Sequence, residues 1–185
     1  MDKGWLKALI KATNRYQEYD GFGGRIVPLW RTKPPAWIGV SGKYNALKGT
    51  VFLRDDGCRD KEYCETKSGV PCGANMFFRK RVIDENGLFR SDLGPQAGIP
   101  GAAEDTEYCQ RMVNRGKKFM YIGNATIYHP VEPEKLTKRY LTKWRYCCAR
   151  SVVRCKGRPD NVKCYFNIPR YLIKQLFEAL IRWNL

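Results

Sequence analysis

The chain has 185 residues, with 34 Lys/Arg against 18 Asp/Glu and one histidine, for a formal net charge of +16. Its 43% hydrophobic and 13% aromatic content supports one folded domain with a real core and excludes a disordered chain. The charge surplus favours anionic partners such as phosphorylated ligands, acidic lipid or nucleic acid, while one histidine and no Cys-x-x-Cys pair among eight cysteines give little support to a zinc finger.

Asp2 is placed to cap a helix over residues 3–16, with Trp5, Leu9, Ala12 and Tyr16 on one stripe and Lys3, Lys7, Lys11 and Arg15 on the solvated face. Asp20-Gly21 reads as a turn, and 23–29 as a short strand stopped by Pro28. Pro34-Pro35 stiffens an extended connection that delivers Trp37 to a fixed place. Residues 39–68, dominated by Gly, Ser, Lys and Asp, read as a mobile loop over the site with one short strand at Val51-Phe52-Leu53. The apolar run 70–78 reads as a buried strand, and 79–86 as a short helix closed by Gly87.

A Gly/Pro-rich loop over 94–101 leads to the acidic pair Glu104-Asp105, which opens a helix over 104–115 that ends at Gly116. Residues 119–122 and 125–129 read as two strands; alternation puts His129 on the same face as Ala125 and Ile127. A long basic helix over 134–155 is broken by Gly157-Arg158-Pro159-Asp160. A last amphipathic helix follows over 168–185, too interrupted by Arg170, Lys174, Gln175, Glu178 and Arg182 to span a membrane. Residues 134–185 carry 13 Lys/Arg against 3 Asp/Glu, +10 of the +16, and aromatics and leucines interleave with that charge. Such a surface suits lipid headgroups at least as well as nucleic acid. No cleavable signal peptide is visible, so the expected location is the cytoplasm, with peripheral contact at the inner face of the membrane.

Two adjacent carboxylates and a lone imidazole, held by short turns around apolar strands, form the candidate site. Each has an ordinary alternative. Glu104 and Asp105 can be first-turn acids that favour the helix dipole. His129 can be a hydrogen-bonded core residue or a metal ligand. Gly73-Ala74-Asn75 can be a tight turn, or a place where a sugar approaches the backbone and bonds the amide. Trp30 and Trp37 can stack on sugar faces or pack in the core.

The order Gly-Ala-Asn-Met-Phe-Phe-Arg (73–79), Gly-Leu-Phe (87–89), Glu-Asp-Thr-Glu-Tyr-Cys-Gln-Arg-Met (104–112), Gly-Lys-Lys-Phe-Met-Tyr-Ile (116–122) and Ile-Tyr-His (127–129) resembles the second half of an inverting, family 2 glycosyltransferase of GT-A fold. The likeness extends upstream through Gly23 to Trp30 and Pro34 to Trp37, and downstream to Trp144 and Arg145. The resemblance implies an α/β fold: a partial GT-A (nucleotide-diphospho-sugar transferase-like) domain with a mixed sheet over residues 1–133, and basic amphipathic helices over 134–185. It implies transfer of a sugar from a nucleotide-sugar, UDP-linked by preference, to a saccharide or lipid-linked acceptor. Asp105 would be the general base and Glu104 would position the acceptor. Gly73, Ala74, Asn75, Trp30 and Trp37 would line the acceptor side, and His129 would join a Mn²⁺ or Mg²⁺ site. No nucleic acid is expected.

The family's first half, a parallel βα sheet ending in an Asp-x-Asp motif, has no counterpart here. The expectation is therefore the acceptor- and base-bearing half alone, from a truncated frame, a two-chain enzyme or a degenerate copy. Strands at 23–29 and 70–78 would then have unpaired edges, making the isolated chain aggregation-prone or dependent on a partner. Two other functions stay open: a saccharide-binding module without a donor site, and a basic nucleic-acid-binding protein whose affinity falls steeply with salt.

Overall fold

The computed structural model describes residues 1–38, 53–95, 101–157, 162–166 and 168–183. The amino-terminal stripe forms helix α1, Trp5–Arg15, with Leu9 and Ala12 buried. Its first turn follows Gly4, whose N–H donates to the Asp2 carboxylate at 2.8 Å. At the other end, Arg79 donates to the carbonyls of Thr13 at 2.8 Å and Tyr16 at 3.0 Å. A helix leaves its last carbonyls without intrahelical partners, and this guanidinium satisfies two groups in that region.

Four strands make one mixed sheet: β1 Gly21–Trp30, β2 Lys61–Glu62, β3 Met76–Phe78 and β4 Phe119–Val131, in the order β2-β4-β1-β3. Strands β1 and β4 run parallel; β3 and β2 are antiparallel to their neighbours. Adjacent residues of a strand face opposite sides. On β4, Met120 and Ile122 join Leu9 and Ala12 of α1, together with Tyr19, Phe22 and Ala125. Phe119 and Tyr121 join Tyr108, Cys109 and Met112 of α3, Glu104–Asn114. Helices therefore cover both faces. Short α2, Lys80–Asn86, contributes fully buried Val82 to the second layer. Each large apolar side chain buried this way is worth roughly 1.5–3 kcal/mol.

Several expectations change. Strand β1 runs through Pro28, which sits opposite His129. A proline cannot donate, so its nitrogen must face away from β4 and the ladder survives. The two strands expected over 119–129 are one strand with an irregularity. Gly24 pairs with Ile122 but Ile26 with Ile127, so β4 carries three extra residues across that step. The run 70–78 is mostly not strand: Gly73–Asn75 is a 3₁₀ turn and only Met76–Phe78 joins the sheet. Strand β1 is interior, bordered by β4 on one side and by β3 and an Ile26–Arg54 bridge on the other. On that second side β3 covers only Gly21–Gly23 and Arg54 meets only Ile26, and β3 is itself the last strand of the sheet, so among the described residues most of the expected open edge remains. Residues 53–68 are tied to the sheet rather than forming a loop over the site: Arg54 bridges Ile26 and Lys61–Glu62 is β2. The rest of the expected loop, residues 39–52 with Val51 and Phe52 among them, lies outside the described residues.

The long basic helix begins later than expected. Pro133–Leu136 is a 3₁₀ turn, and α4 spans Lys138–Lys156. Leu141 packs with Ile38, Val131 and Leu136. By its contacts the chain divides into units Met1–Cys155 and Lys156–Leu185, the boundary falling at the last residue of α4. The second unit holds a hairpin of β5 Cys164–Tyr165 and β6 Ile168–Pro169, then α5 Arg170–Trp183. The eight cysteines are all free thiols. Among the described residues no helix is long and apolar enough to cross a membrane.

Candidate active site

The acidic pair is built by the start of α3. Ala103 precedes it at φ 78°, a left-handed conformation that costs a residue with a Cβ about 1–2 kcal/mol. Glu104, Asp105 and Glu107 fill the first turn, where the helix dipole favours negative charge. Asp105 Oδ2 accepts the Gly73 N–H at 2.7 Å. Its Oδ1 accepts the Thr106 N–H at 2.7 Å and the Thr106 hydroxyl at 3.2 Å. The carboxylate is therefore fixed in direction, and Oδ2, with one donor, keeps a lone pair for a further one.

Gly73 makes that approach possible. A Cβ at residue 73 would stand 3.0 Å from Asp105 Oδ2 and 3.3 Å from its Cβ. The Gly-Ala-Asn and Glu-Asp motifs, 32 residues apart in sequence, are thus joined by one short hydrogen bond. Glu104 lies beside them with one carboxylate oxygen buried and unpaired. Burial pushes its carboxyl above the usual range, with the Asp105 charge adding to the rise. Gly94, at φ +81°, packs on it: a Cβ there would be 3.0 Å from the Glu104 Cδ. A Cβ on Gly101 would overlap the Gly94 carbonyl, so two glycines close the loop that flanks Glu104. Residues 96–100 of that loop lie outside the described residues.

Asn75 is buried, and its amide is spent inside the fold. It donates to the carbonyls of Arg25 at 2.9 Å and Ala125 at 2.8 Å, and accepts the Trp5 indole N–H at 3.0 Å. These carbonyls lie where the β1–β4 pairing slips. The side chain supplies the donors that the irregular ladder lacks, leaving no amide hydrogen for a sugar hydroxyl. Ala74 packs against the small cluster of Ile26, Cys72 and Ile127, also a structural placement. Both positions match the tight-turn alternative.

Trp30 ends β1 and is 37% exposed; Trp37 is 45% exposed, with the Lys138 ammonium 5.6 Å from its ring centre. Core packing accounts for neither ring. His129 stands near the carboxyl end of β4, in register with Pro28. Burial, helped by the Lys135 charge, holds its pKa below the ordinary 6.5, so the imidazole is neutral near pH 7. A neutral imidazole can ligate a metal, yet among the described residues no group of three His, Cys, Asp or Glu side chains could hold one.

Other residues frame the site. Gly87-Leu88-Phe89 serves α3: Phe89 stacks on Tyr108 with ring centres 4.0 Å apart, and the Tyr108 hydroxyl donates to the Gly87 carbonyl at 3.0 Å. Arg111 donates to the carbonyls of Asn86 at 2.6 Å and Leu88 at 3.0 Å while pairing with Glu107 at 3.2 Å. Cys72, next to Gly73, is buried and its thiol is pushed up to about 11. The i,i+4 spacing of Glu107 and Arg111 could have signalled their pairing. No sequence pattern could have signalled the role of Asn75. Comparison with protein-family models, with curated proteins and with solved structures found no match to this chain.

Proposed function

We propose that the chain is the acceptor- and base-bearing part of an inverting glycosyltransferase of the GT-A type. The observation that supports this best is the 2.7 Å bond joining Asp105 to Gly73, because it brings together the two motifs that carry the resemblance. In this reading Asp105 removes the proton of an acceptor hydroxyl within ~3 Å of its carboxylate. The hydroxyl oxygen attacks the anomeric carbon from the face opposite the leaving group, the bond to the nucleoside diphosphate breaks, and configuration inverts. The N–H groups of Gly73 and Thr106 hold the base in direction, which is worth most when reacting atoms must align. Glu104, beside the base with one carboxylate oxygen unpaired, positions the acceptor. Trp30 and Trp37 offer exposed rings for a saccharide or lipid-linked acceptor. The donor is a nucleotide-sugar, UDP-linked by preference.

A divalent cation near the diphosphate would supply charge neutralisation, with His129 as the ligand that the resemblance implies. Calorimetric titration with UDP, with and without Mn²⁺, tests the donor side. Saturable binding that Asp105→Asn retains and His129→Ala weakens supports the reading. No binding by the parent chain removes donor binding from it and leaves the saccharide-binding alternative, which predicts acceptor binding without nucleotide.

A further inference from the structure

Within the unit Lys156–Leu185, the β5–β6 register pairs Tyr165 with Ile168, putting Phe166 at the hairpin turn. Phe166 has φ 48°, a conformation that favours glycine or asparagine, and is 98% exposed. A bulky aromatic ring thus occupies a strained turn position and projects into solvent. Tyr165 and Ile168 beside it are also exposed. Helix α5 adds a second apolar surface. Leu172 and Leu176 lie one turn apart, with Phe177 beside them; Leu176 and Phe177 are 59% and 60% exposed. Arg170, Lys174 and Glu178 fall four residues apart on another side, with Lys174 and Glu178 3.9 Å apart. Residues 156–185 carry 6 Lys/Arg against 2 Asp/Glu.

We propose that this unit docks on the headgroup region of an anionic lipid bilayer, with the Phe166 tip and the Leu172, Leu176 and Phe177 face of α5 entering the interface. Three features favour lipid over a second copy or another protein. The apolar groups are interleaved with basic residues, which draw the unit to acidic headgroups. The 14-residue helix is amphipathic rather than apolar all round, so it lies in the interface plane. The strained Phe166 gains by transfer out of water and gains nothing in water. The inference is independent of the transferase reading, since no residue of the Glu104–Asp105 site enters it. It narrows the expected membrane surface from 134–185 to the last unit, because Leu141 of α4 already packs in the first.

The test is sedimentation of the full chain with vesicles of phosphatidylcholine alone and of phosphatidylcholine mixed with phosphatidylglycerol. The expected result is binding to the mixed vesicles that weakens as salt rises. Phe166→Asn suits the turn and should keep the hairpin, yet weaken binding about tenfold. Leu176→Asp with Phe177→Asp should abolish it, with the thermal transition of the first unit unchanged. Equal binding to both vesicle types, or equal affinity of Phe166→Asn and the parent, overturns the proposal. So does absence of vesicle binding accompanied by self-association that Phe166→Asn abolishes, which would make a second copy the occupant. Absence of vesicle binding on its own is equally decisive against it.

Discussion

Replacing Asn75 with alanine removes one side chain and strands three polar groups. They are the Ala125 carbonyl, which is buried, and the Arg25 carbonyl and Trp5 indole N–H, which are partly buried. An unsatisfied buried group costs about 1–3 kcal/mol. Water can reach the two partly buried groups, so each takes the low end, about 1 kcal/mol, and the Ala125 carbonyl about 2 kcal/mol. The sum is about 4 kcal/mol, a large share of an ordinary domain's 5–15 kcal/mol. For a chain of this size that lowers Tm by about 8–16 °C. Asn75→Asp should be worse than alanine at pH 7, because a carboxylate would face two carbonyls with no hydrogen to give. Circular-dichroism melts of the parent and both variants, with urea titrations for free energies, provide the measurement. A loss under about 0.5 kcal/mol for Asn75→Ala, or Asn75→Asp as stable as alanine, would refute the ladder-substitute account.

Further outcomes follow from the same geometry. Gly73→Ala places a Cβ 3.0 Å from Asp105 Oδ2, so the carboxylate must shift; turnover should drop by about 10²-fold while Tm falls only a few degrees. Glu104→Gln removes a half-buried charge with an unpaired oxygen, and should raise Tm at pH 7 by about 2 °C. The raised Glu104 pKa means its ionisation opposes folding as pH rises, so this gain should vanish in melts run below the usual carboxylate range. His129 has the opposite sign. Its folded pKa lies below 6.5, so the unfolded chain takes up the proton first. Stability should fall as pH drops below 6.5 through the folded value, and urea titrations of His129→Gln should show a flatter profile across that window.

Local patterns carried much of the fold. The stripe of Trp5, Leu9, Ala12 and Tyr16 and the run ending at Gly116 became α1 and α3 with ends shifted by one or two residues. Gly87 and Gly116 sit at positive φ where helices end, a role legible from residue type alone. What failed depended on distant partners. Nothing local says that 119–131 is one strand, because Gly123 and Asn124 resemble a turn until the register with β1 is known. Nothing local says that Cys72–Asn75 bends away from the sheet, because the bend serves Asp105, 32 residues on. In the site, the acidic pair and the glycine were visible from sequence. The consumption of the Asn75 amide by backbone carbonyls was not, since it needs the ladder irregularity that sets it up.

The most direct test of the central claim is release of UDP from UDP-sugars by the full chain in the presence of saccharide acceptors, compared between the parent and Asp105→Asn. Loss of a positioned general base costs about 10²–10⁴-fold. The account predicts acceptor-dependent release by the parent and a loss of that size in the variant, with the Tm of the two chains close. Release at the parental rate by Asp105→Asn, or none by the parent with any donor and acceptor, would contradict catalysis by this chain through Asp105.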